Sequence, residues 1–389
     1  MKLAFVIPWY GEHIPGGAEY ATRRLAETLA ARGRAVEVLT TCIRDFHSDW
    51  SKNHHRAGAT VENGVTVRRF KVVHRDTVQF DELNGRLLQD QVLTPEEEAQ
   101  FMQEMVKSPA LLDFIQTHCV DYQFFFTPYL FSTSYYGIQV GGDYTWLIPC
   151  LHDESYACMQ IVKEMFQSAQ GVLFLSRPEM ELAHRLYDLK NARTGILGVG
   201  VDDGPTGDSW RFRDLTGIRD PFILYIGRRD AGKNVPRLID YFCQYREMHR
   251  RALKLVLIGS GEIAVPSNHR DDIIDLGFVT PQTKADALAA AALLCQPSRN
   301  ESFSLVIMEA WLAGTPVLVH ADCAVTADHC RRSNGGLYFG DYFEFAGCLD
   351  FLLDHPEVAR RMGQRGGQYV RTNFNWDAVI KRFDYVIQS

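Results

Sequence analysis

The stretch CQPSRNESFSLVIMEAWLAGTPVLVH, residues 295–320, decides the fold. An apolar run ends at Cys295, turn-forming residues follow, and residues 305–313 have the length of a short helix that stops before Gly314 and Pro316. The pattern therefore predicts a strand, a polar loop, a helix and a second strand. A loop of this kind leads into a helix N-terminus, whose free N–H groups and positive dipole bind phosphate.

Glu309 is the one acid on this otherwise apolar predicted helix. Burying a carboxylate without a partner is costly, so we expect Glu309 to have one. Ser302 and Ser304 are suitable N-cap residues just ahead of the helix, and Glu301 lies in the loop before them.

Length and composition limit the class of protein. A prior of roughly 150 residues per domain suggests two domains for the 389 residues. The net charge of −7 argues against a nucleic-acid partner held by bulk positive charge. Nine cysteines without a C-x-x-C pair indicate neither a zinc site nor a disulfide framework and are typical of a reducing cytoplasm. No apolar run approaches the roughly 20 residues of a membrane span.

The chain begins with a β–loop–α–β pattern, the start of a parallel sheet covered by helices. Residues 3–7 are typical of a buried strand, residues 18–32 of a helix and residues 35–40 of the next strand. Gly16 and Gly17 lie where the loop enters the helix. They would let a ligand approach the backbone closely, although a plain tight turn explains them about equally well.

A histidine follows a later predicted strand of this first half. Residues 65–73 alternate like an edge strand, and residues 145–151 read as a buried strand that ends at His152. A histidine beside two acids at the mouth of a parallel sheet is a candidate ligand or proton-handling group. A structural histidine is nearly as good an explanation.

The composition changes over residues 202–220, which are rich in Gly, Pro and Asp and carry little apolar pattern. From residue 221 onward strands and helices alternate cleanly. The sequence therefore predicts two doubly wound α/β domains, residues 1–202 and residues 203–372, with residues 373–389 packing back on the first.

Two cations follow the first strand of the second predicted domain. Arg228 and Lys233 lie just beyond Gly227, at the strand end where an open α/β sheet binds its ligand. A guanidinium and an ammonium there suit phosphate, and a solvated basic turn is the alternative. Gly259 and Ser260 end the neighbouring strand with small residues, which leaves room for a base or a ribose.

Five groups of residues match one known family: Pro15-Gly16-Gly17-Ala18-Glu19, His152-Asp153, Gly227-Arg228 with Lys233-Asn234, Gly259-Ser260-Gly261, and E-x7-E from Glu301 to Glu309. In these groups the chain resembles a family 4 glycosyltransferase of the GT-B architecture, in which two Rossmann-like domains face each other across a cleft. The resemblance covers nearly the whole chain and is weak only over residues 44–118. Residues 197–202 depart from it, because the family usually has Asn before the final Gly-Val-Asp.

The resemblance implies an activity. Family members transfer a sugar from a nucleoside-diphosphate donor with retention of anomeric configuration, usually without a metal or other cofactor. The segments PYLF and NGGLYF, residues 128–131 and 334–339, are most similar to bacterial transferases that add mannose or rhamnose to surface polysaccharides. We therefore expect a GDP- or UDP-sugar as donor, a mannose-type hexose, and a glycan or lipid-linked acceptor. Residues 1–202 would bind the acceptor and residues 203–372 the donor.

The resemblance also implies roles for the candidate residues on the donor side. Arg228 and Lys233 would neutralise the departing diphosphate, a task that a metal performs elsewhere. Glu309 would accept hydrogen bonds from the ribose diol, and Glu301 would lie near the donor sugar. The remaining donor-binding candidates would act through small size or backbone N–H groups: Gly16, Gly17, Gly227, Gly259, Ser260, Ser302, Phe303, Ser304 and Leu305.

On the acceptor side, His152 would contact the sugar or help to position the acceptor, and Gly16 and Gly17 would admit it. Two mechanisms stay open for Glu301. In the favoured one the leaving-group oxygen assists the incoming hydroxyl on the same face of the sugar; in the other Glu301 is a covalent nucleophile. Two other functions stay open as well: an inverting transferase or epimerase of the same architecture, and a nucleotide-sugar-binding protein without catalysis.

Contact with a membrane is a further expectation. Arg23, Arg24, Arg32 and Arg34 flank the first predicted helix, and a basic amphipathic helix can lie on anionic lipid. Glu19 and Glu27 among them are more typical of a solvated face. We expect a cytoplasmic protein with weak peripheral contact at the inner face of the membrane.

Overall fold

The structure, a computed structural model, describes residues 1–14, 16–249 and 251–388. Pro15, the first residue of the predicted glycine motif, and Ser389, the end of the predicted C-terminal segment, lie outside the described residues. The chain forms two compact units. The first comprises Met1–Gly200 and Val379–Ser389, and the second comprises Val201–Ala378.

The first unit is built on an eight-stranded sheet of order β3-β4-β2-β1-β5-β6-β7-β8. Every described pair in it is parallel except β3 with β4. Its central strands are buried almost throughout, as expected for parallel strands covered on both faces. The strands are β1 Lys2–Val6, β2 Val36–Thr41, β3 Gly58–Glu62, β4 Val65–Phe70, β5 Tyr122–Phe126, β6 Thr145–Leu147, β7 Gly171–Phe174 and β8 Arg193–Ile196.

Helices cover the faces of this sheet. The end of the chain joins them, since the ring of Phe383 packs against those of Phe5 and Phe125, with centroids 6.5 and 5.1 Å away. The helices before the second unit are α1 Gly17–Ala31, α2 Thr77–Leu87, α3 Pro95–Gln103, α4 Pro109–Thr117, α5 Ser132–Val140, α6 Gln160–Ser168 and α7 Arg177–Leu186.

The second unit is built on a six-stranded parallel sheet of order β11-β10-β9-β12-β13-β14. Strand and helix alternate along the chain, so the carboxyl ends of these strands meet at one edge. Its elements are α8 Ser209–Thr216, β9 Phe222–Ile226, α9 Val235–Met248, β10 Lys254–Ile258, β11 Ile273–Asp275, α10 Pro281–Ala290, β12 Leu293–Gln296, α11 Leu305–Leu312, β13 Val317–His320, α12 Ala324–Ser333, β14 Gly336–Phe339, α13 Tyr342–Asp354 and α14 Pro356–Asn373. The last helix, α15 Trp376–Gln388, begins in the second unit and belongs to the first unit from Val379 onward.

One expectation about local structure was wrong. Residues 65–73 are not an edge strand, because β4 pairs with β2 on one side and with β3 on the other. Residues 202–220, where the composition changes, contain α8, with the Asp208 side chain accepting hydrogen bonds from the first-turn backbone. None of the helices among the described residues is long and apolar enough to cross a membrane.

Candidate functional site

Two glycines allow the ends of β9 and β10 to approach each other closely. A Cβ on Gly259 would lie 2.1 Å from the carbonyl oxygen of Gly227, so no other residue fits there without movement of the backbone. Both glycines have positive φ angles, of 132° and 154°, which L side chains rarely adopt. Ser260 follows, and its carbonyl accepts the N–H of Arg229 at 2.7 Å. Small residues therefore end both strands at this edge of the sheet.

Lys233 and Glu301 are brought together from two different loops. The loop after β9 carries Lys233 and the loop after β12 carries Glu301, and Lys233 Nζ lies 2.8 Å from Glu301 Oε1. Gln296, the last residue of β12, donates its Nε2 to the same oxygen at 3.0 Å. The Oε1 oxygen of Glu301 is thus held by one cation and one amide.

Of the two arginines after β9, only Arg228 is exposed to solvent. Its Nε lies 3.5 Å from Asp230 Oδ2, a loose pair that leaves the guanidinium able to bind an anion. Arg229 is buried, forms an ion pair with Asp275 and donates its Nε to the carbonyl of Gly261 at 2.9 Å. Arg229 therefore holds the loop, and Arg228 is the arginine available for a ligand.

The hydroxyl of Tyr225 fixes the backbone beside this pair. It donates to the carbonyl oxygen of Arg228 at 2.5 Å. Burial, together with the nearby charge of Glu301, raises the pKa of Tyr225 well above its usual range. The phenol therefore stays protonated, and we regard it as a support of the loop.

The start of α11 has the features of an anion site. Ser304 precedes the helix in a left-handed conformation with φ of 68°, and α11 has no side-chain cap among the described residues. The Ser304 hydroxyl is buried and without a hydrogen-bond partner in the described part of the chain. The ring of Phe303 is buried against His329 and Phe374, so only the backbone of Phe303 is available to a ligand. Ser302 and Leu305, on either side of residues 303 and 304, are both half-buried.

Glu309 has a partner that the sequence did not suggest. Lys284, on α10, places its Nζ 2.7 Å from Glu309 Oε1. About a third of each side chain is exposed, 33% for Lys284 and 34% for Glu309, so the carboxylate stays within reach of a ligand. The two residues lie on different helices, and only their packing reveals the contact. The ribose role of Glu309 stays a prediction.

In the first unit, His152 follows β6 and keeps a partly exposed side chain. Its Nδ1 lies 3.8 Å from Glu154 Oε1, which also accepts the hydroxyl of Tyr129 at 2.7 Å. A buried acid, Glu179 of α7, accepts the N–H of Leu151 at 2.7 Å and so fixes the residue before His152. Burial raises the pKa of Glu179 to about 8, against the opposing effect of its backbone N–H donors.

Gly16 and Gly17 differ in what surrounds them. A Cβ on Gly16 would lie 2.0 Å from Glu19 Oε2, and the Glu19 carboxylate accepts the indole N–H of Trp9 at 2.7 Å. A Cβ on Gly17 would meet no described atom within 4 Å. Glu19 would have to move to admit a side chain at residue 16, and the φ angle of Gly16, 148°, is one that L side chains rarely adopt. Gly17 leaves open space at the start of α1.

Residues 220–355, which include most of these second-unit side chains, match the family model described as "Glycosyl transferases group 1". These residues are therefore similar to glycosyltransferase group 1 domains. The matched stretch contains the Lys233–Glu301 contact, the start of α11 and the Glu309–Lys284 pair.

Two curated relatives extend the likeness. A D-inositol 3-phosphate glycosyltransferase of Corynebacterium efficiens is 30% identical over 51% of this chain and 51% of its own length. The match to that relative therefore spans about half of its length. An uncharacterized glycosyltransferase of Methanocaldococcus jannaschii is 26% identical over 98% of this chain and 96% of its own. Both relatives are named as glycosyltransferases.

The solved structures show the fold. The structure of HepE from Anabaena in complex with UDP and glucose is 15% identical, covers 100% of both chains and has a TM-score of 0.68. At that identity the likeness concerns the fold alone. The predicted GT-B architecture, with its two α/β sheets, is confirmed.

Proposed function

We propose that the protein is a retaining glycosyltransferase that moves a hexose, with a mannose-type sugar favoured, from a nucleoside-diphosphate sugar to a hydroxyl of a glycan or lipid-linked acceptor. The observation that carries the proposal is the Lys233–Glu301 contact of 2.8 Å, at the sheet edge that also holds the uncapped start of α11. A cation for the leaving group and an acid for the sugar thus lie side by side.

The donor diphosphate is the group that the start of α11 fits best. The first-turn N–H groups and the unpaired Ser304 hydroxyl would donate to its oxygens. Lys233 and the exposed Arg228 would balance the charge that develops as the diphosphate leaves. Because the chain supplies both cations itself, we propose that the reaction proceeds without a metal ion.

Glu301 is better suited to electrostatic stabilisation than to covalent attack. Its Oε1 accepts from both Lys233 and Gln296, which lowers the nucleophilicity of the carboxylate and fixes its position. A fixed negative charge beside the anomeric carbon would stabilise the positive character of the transition state. This supports the same-face mechanism, and trapping of a glycosyl-enzyme at Glu301 would overturn it.

The acceptor is assigned to the first unit. His152 and the open space at Gly17 both lie at loops that follow strands of its sheet. The Corynebacterium relative is named for a phosphorylated polyol, so inositol phosphates belong in an acceptor screen beside glycans and lipid-linked sugars. HepE was solved in complex with UDP and glucose, which adds UDP-glucose to the donor screen beside GDP-mannose.

The test is a screen of the purified protein with GDP-, UDP- and dTDP-sugars, followed by thermal shift, donor hydrolysis and transfer. We expect one donor to be hydrolysed slowly and transferred with retention, as read from the anomeric NMR signal of the product. Lys233→Ala should lower kcat by about 10²–10³. Lys190→Ala, at an exposed lysine of the first unit, is the matched control. Donor binding without turnover of any sugar would establish the non-catalytic alternative, and an inverted product would refute retention.

We propose weak peripheral contact with the inner face of the membrane. Arg23 and Arg24 pair with Glu27 at 3.3 and 2.7 Å, and Arg34 pairs with Asp384 at 2.6 Å. These pairs reduce the positive potential of the α1 surface. Flotation with anionic liposomes should recover a small, salt-sensitive fraction of the protein, and recovery that resists high salt would contradict a weak electrostatic contact.

A further inference from the structure

The first unit contains a cavity of about 320 Å³, and none of the candidate site residues lines it. It is lined by the loop after β4, the segment between α3 and α4, and the first turns of α4 and α5. Small-molecule sites in proteins typically measure roughly 300–1,000 Å³, so the volume suits a small ligand or one end of a larger one. The cavity opens to solvent beside His74 and Gln103, both of which are exposed.

A buried hydroxyl in the lining has no partner. Three hydroxyl residues follow one another at the start of α5. Ser132 Oγ accepts the N–H of Val106 at 3.0 Å and donates to its carbonyl at 2.7 Å, and Ser134 Oγ donates to the carbonyl of Pro128 at 2.7 Å. Thr133 is equally buried, at 2% exposure, but among the described residues its Oγ1 has no hydrogen-bond partner. Of the three, Thr133 is left for a ligand of the cavity that it lines.

The lining favours an anion. Its twelve residues include Lys107 and His74 and no acid. Helices α4 and α5 both begin at the cavity, and within the described chain neither start has a side-chain cap. Two helix N-termini add positive potential. Lys107 pairs with Glu104, which lies outside the lining, and an ammonium has three donors, so two stay available.

Part of the lining is apolar. Val73, Val106, Leu111 and Leu112 contribute to it, and the ring of Tyr136 adjoins the first turn of α5. A free inorganic anion would leave this apolar surface in contact with water. The lining as a whole therefore matches a molecule that carries one anionic group on an apolar body.

The cavity lies at the edge of the sheet that also carries the β1–α1 loop. Its residues follow β4 and β5 at their carboxyl ends. Phe131, directly before α5, packs edge-on against Trp9 with ring centroids 4.9 Å apart. Trp9 in turn donates its indole N–H to Glu19 in the first turn of α1. The cavity is thus connected by direct packing to the loop that holds Gly16 and Gly17.

We propose that this cavity binds an anionic amphiphile, an alkyl or aryl group bearing a phosphate or carboxylate, and that this amphiphile is the non-reacting end of the acceptor. The first half of the proposal stands on the cavity alone. The second half rests on the proposed transferase function. Thr133, Lys107 and the two helix starts bind the anion, and the valine and leucine side chains bind the apolar body.

Hexyl phosphate is the probe, and its binding to the full chain is measured by calorimetry in the absence of donor. We expect hexyl phosphate to bind at least about tenfold more tightly than inorganic phosphate or hexanol, because only hexyl phosphate satisfies both parts of the lining. Thr133→Val keeps the shape of the side chain and should weaken binding by about five- to tenfold. Leu112→Trp, which fills the cavity from a half-buried position, should abolish it.

Thr40→Val is the matched control. Thr40 is also buried in the first unit with an unpartnered hydroxyl, but it lies on β2 and not in the cavity lining, so hexyl phosphate should bind this variant as it binds the unmodified protein. Absence of hexyl phosphate binding, or binding that Thr133→Val and Leu112→Trp leave unchanged, would overturn the site. Donor hydrolysis measured on the same protein then shows separately whether the transferase function stands.

The link to the acceptor has its own test. Hexyl phosphate should compete with the acceptor and raise the acceptor KM without changing kcat, and Leu112→Trp should raise the acceptor KM while donor hydrolysis stays unchanged. Hexyl phosphate that binds in the cavity but does not compete would overturn the acceptor assignment. Vesicles containing anionic lipid distinguish the sources of the amphiphile. Vesicles that compete with both hexyl phosphate and the acceptor would identify a lipid-linked acceptor as the ligand, whereas vesicles that displace hexyl phosphate without raising the acceptor KM would overturn the acceptor assignment.

Discussion

Replacing Glu309 by glutamine is expected to raise the donor KM while kcat stays within about twofold, because Glu309 is assigned to the ribose and not to the reacting bond. Hydrogen bonds to a charged group contribute about 1.5–3 kcal/mol, which corresponds to about 10- to 150-fold in affinity. The structure favours the low end of this range. The Glu309 side chain is 34% exposed and already shares Oε1 with Lys284 at 2.7 Å. We therefore expect a KM increase of about tenfold.

Lys284 sharpens this prediction, because its ammonium would act on the donor only through Glu309. Exposed ion pairs contribute about 1 kcal/mol or less, so Lys284→Met should raise the donor KM by about two- to fourfold. The double variant should be no worse than Glu309→Gln alone, since the lysine then has no carboxylate to orient. If Lys284 had only a structural role, the double variant would instead show the KM increases of the two single variants combined.

The assay is initial-rate kinetics with varied donor and saturating acceptor, together with calorimetry of the nucleoside diphosphate alone. Glu357→Gln is the matched control, since Glu357 forms a helix pair with Arg360 at 2.8 Å elsewhere in the second unit. A Glu309→Gln protein that loses kcat at unchanged KM would refute the ribose assignment. Additive effects of the two substitutions would refute the positioning role of Lys284.

Two further predictions concern stability. Gly363→Ala should lower the melting temperature by several degrees, because the new Cβ would lie 1.9 Å from the carbonyl oxygen of Gly314. Gly347→Ala is the control. Its Cβ would meet no described atom within 4 Å, so the melting temperature should stay unchanged or rise slightly. The Arg211 guanidinium holds the pKa of the buried Asp286 at about 2, so this carboxylate adds stability above pH 3.8 that is lost as the pH falls through about 2. The lowering corresponds to about 2.4 kcal/mol, which solvent screening of the half-exposed Arg211 reduces to about 1–2 kcal/mol. Urea denaturation should show that Asp286→Asn costs this amount at pH 7 and progressively less as the pH falls toward 2; an equal cost at both would contradict the ion-pair explanation.

The alternating elements of the second unit could be predicted from the sequence because their limits are local. Helix α9, residues 235–248, and strand β14, residues 336–339, belong to the alternation of strands and helices that the sequence predicts from residue 221 onward. Strand β3 could not be found, since four of its five residues are exposed and carry no apolar pattern. Helix α5 was missed because its serine, threonine and aromatic residues are weak helix formers. Six of its nine residues are buried, so tertiary packing decides its conformation.

The candidate site shows the same division. Arg228, Lys233, Glu301 and Glu309 could be named because each follows a strand or stands alone on an apolar face. Their partners Gln296 and Lys284 could not, because a contact between two elements depends on how those elements pack. The buried Arg229 beside the exposed Arg228 makes the point most directly. Two adjacent arginines look equivalent in sequence, and only the position of Asp275 separates the supporting residue from the one proposed to bind the ligand.

The pairing of two acids with two lysines has a consequence for donor binding. Lys233 with Glu301, and Lys284 with Glu309, leave each pair without net charge, so the lysines of the site are held by protein carboxylates. A bound diphosphate would bring further negative charge. Lys233 can contact it only if its three N–H donors are divided between the ligand and Glu301. Arg228, held loosely by Asp230 at 3.5 Å, supplies the additional positive charge. The two cations are therefore not interchangeable under the proposed function. Loss of Lys233 would remove the proposed contact to the leaving group and also the anchor of Glu301, whereas loss of Arg228 would remove only a proposed contact to the leaving group.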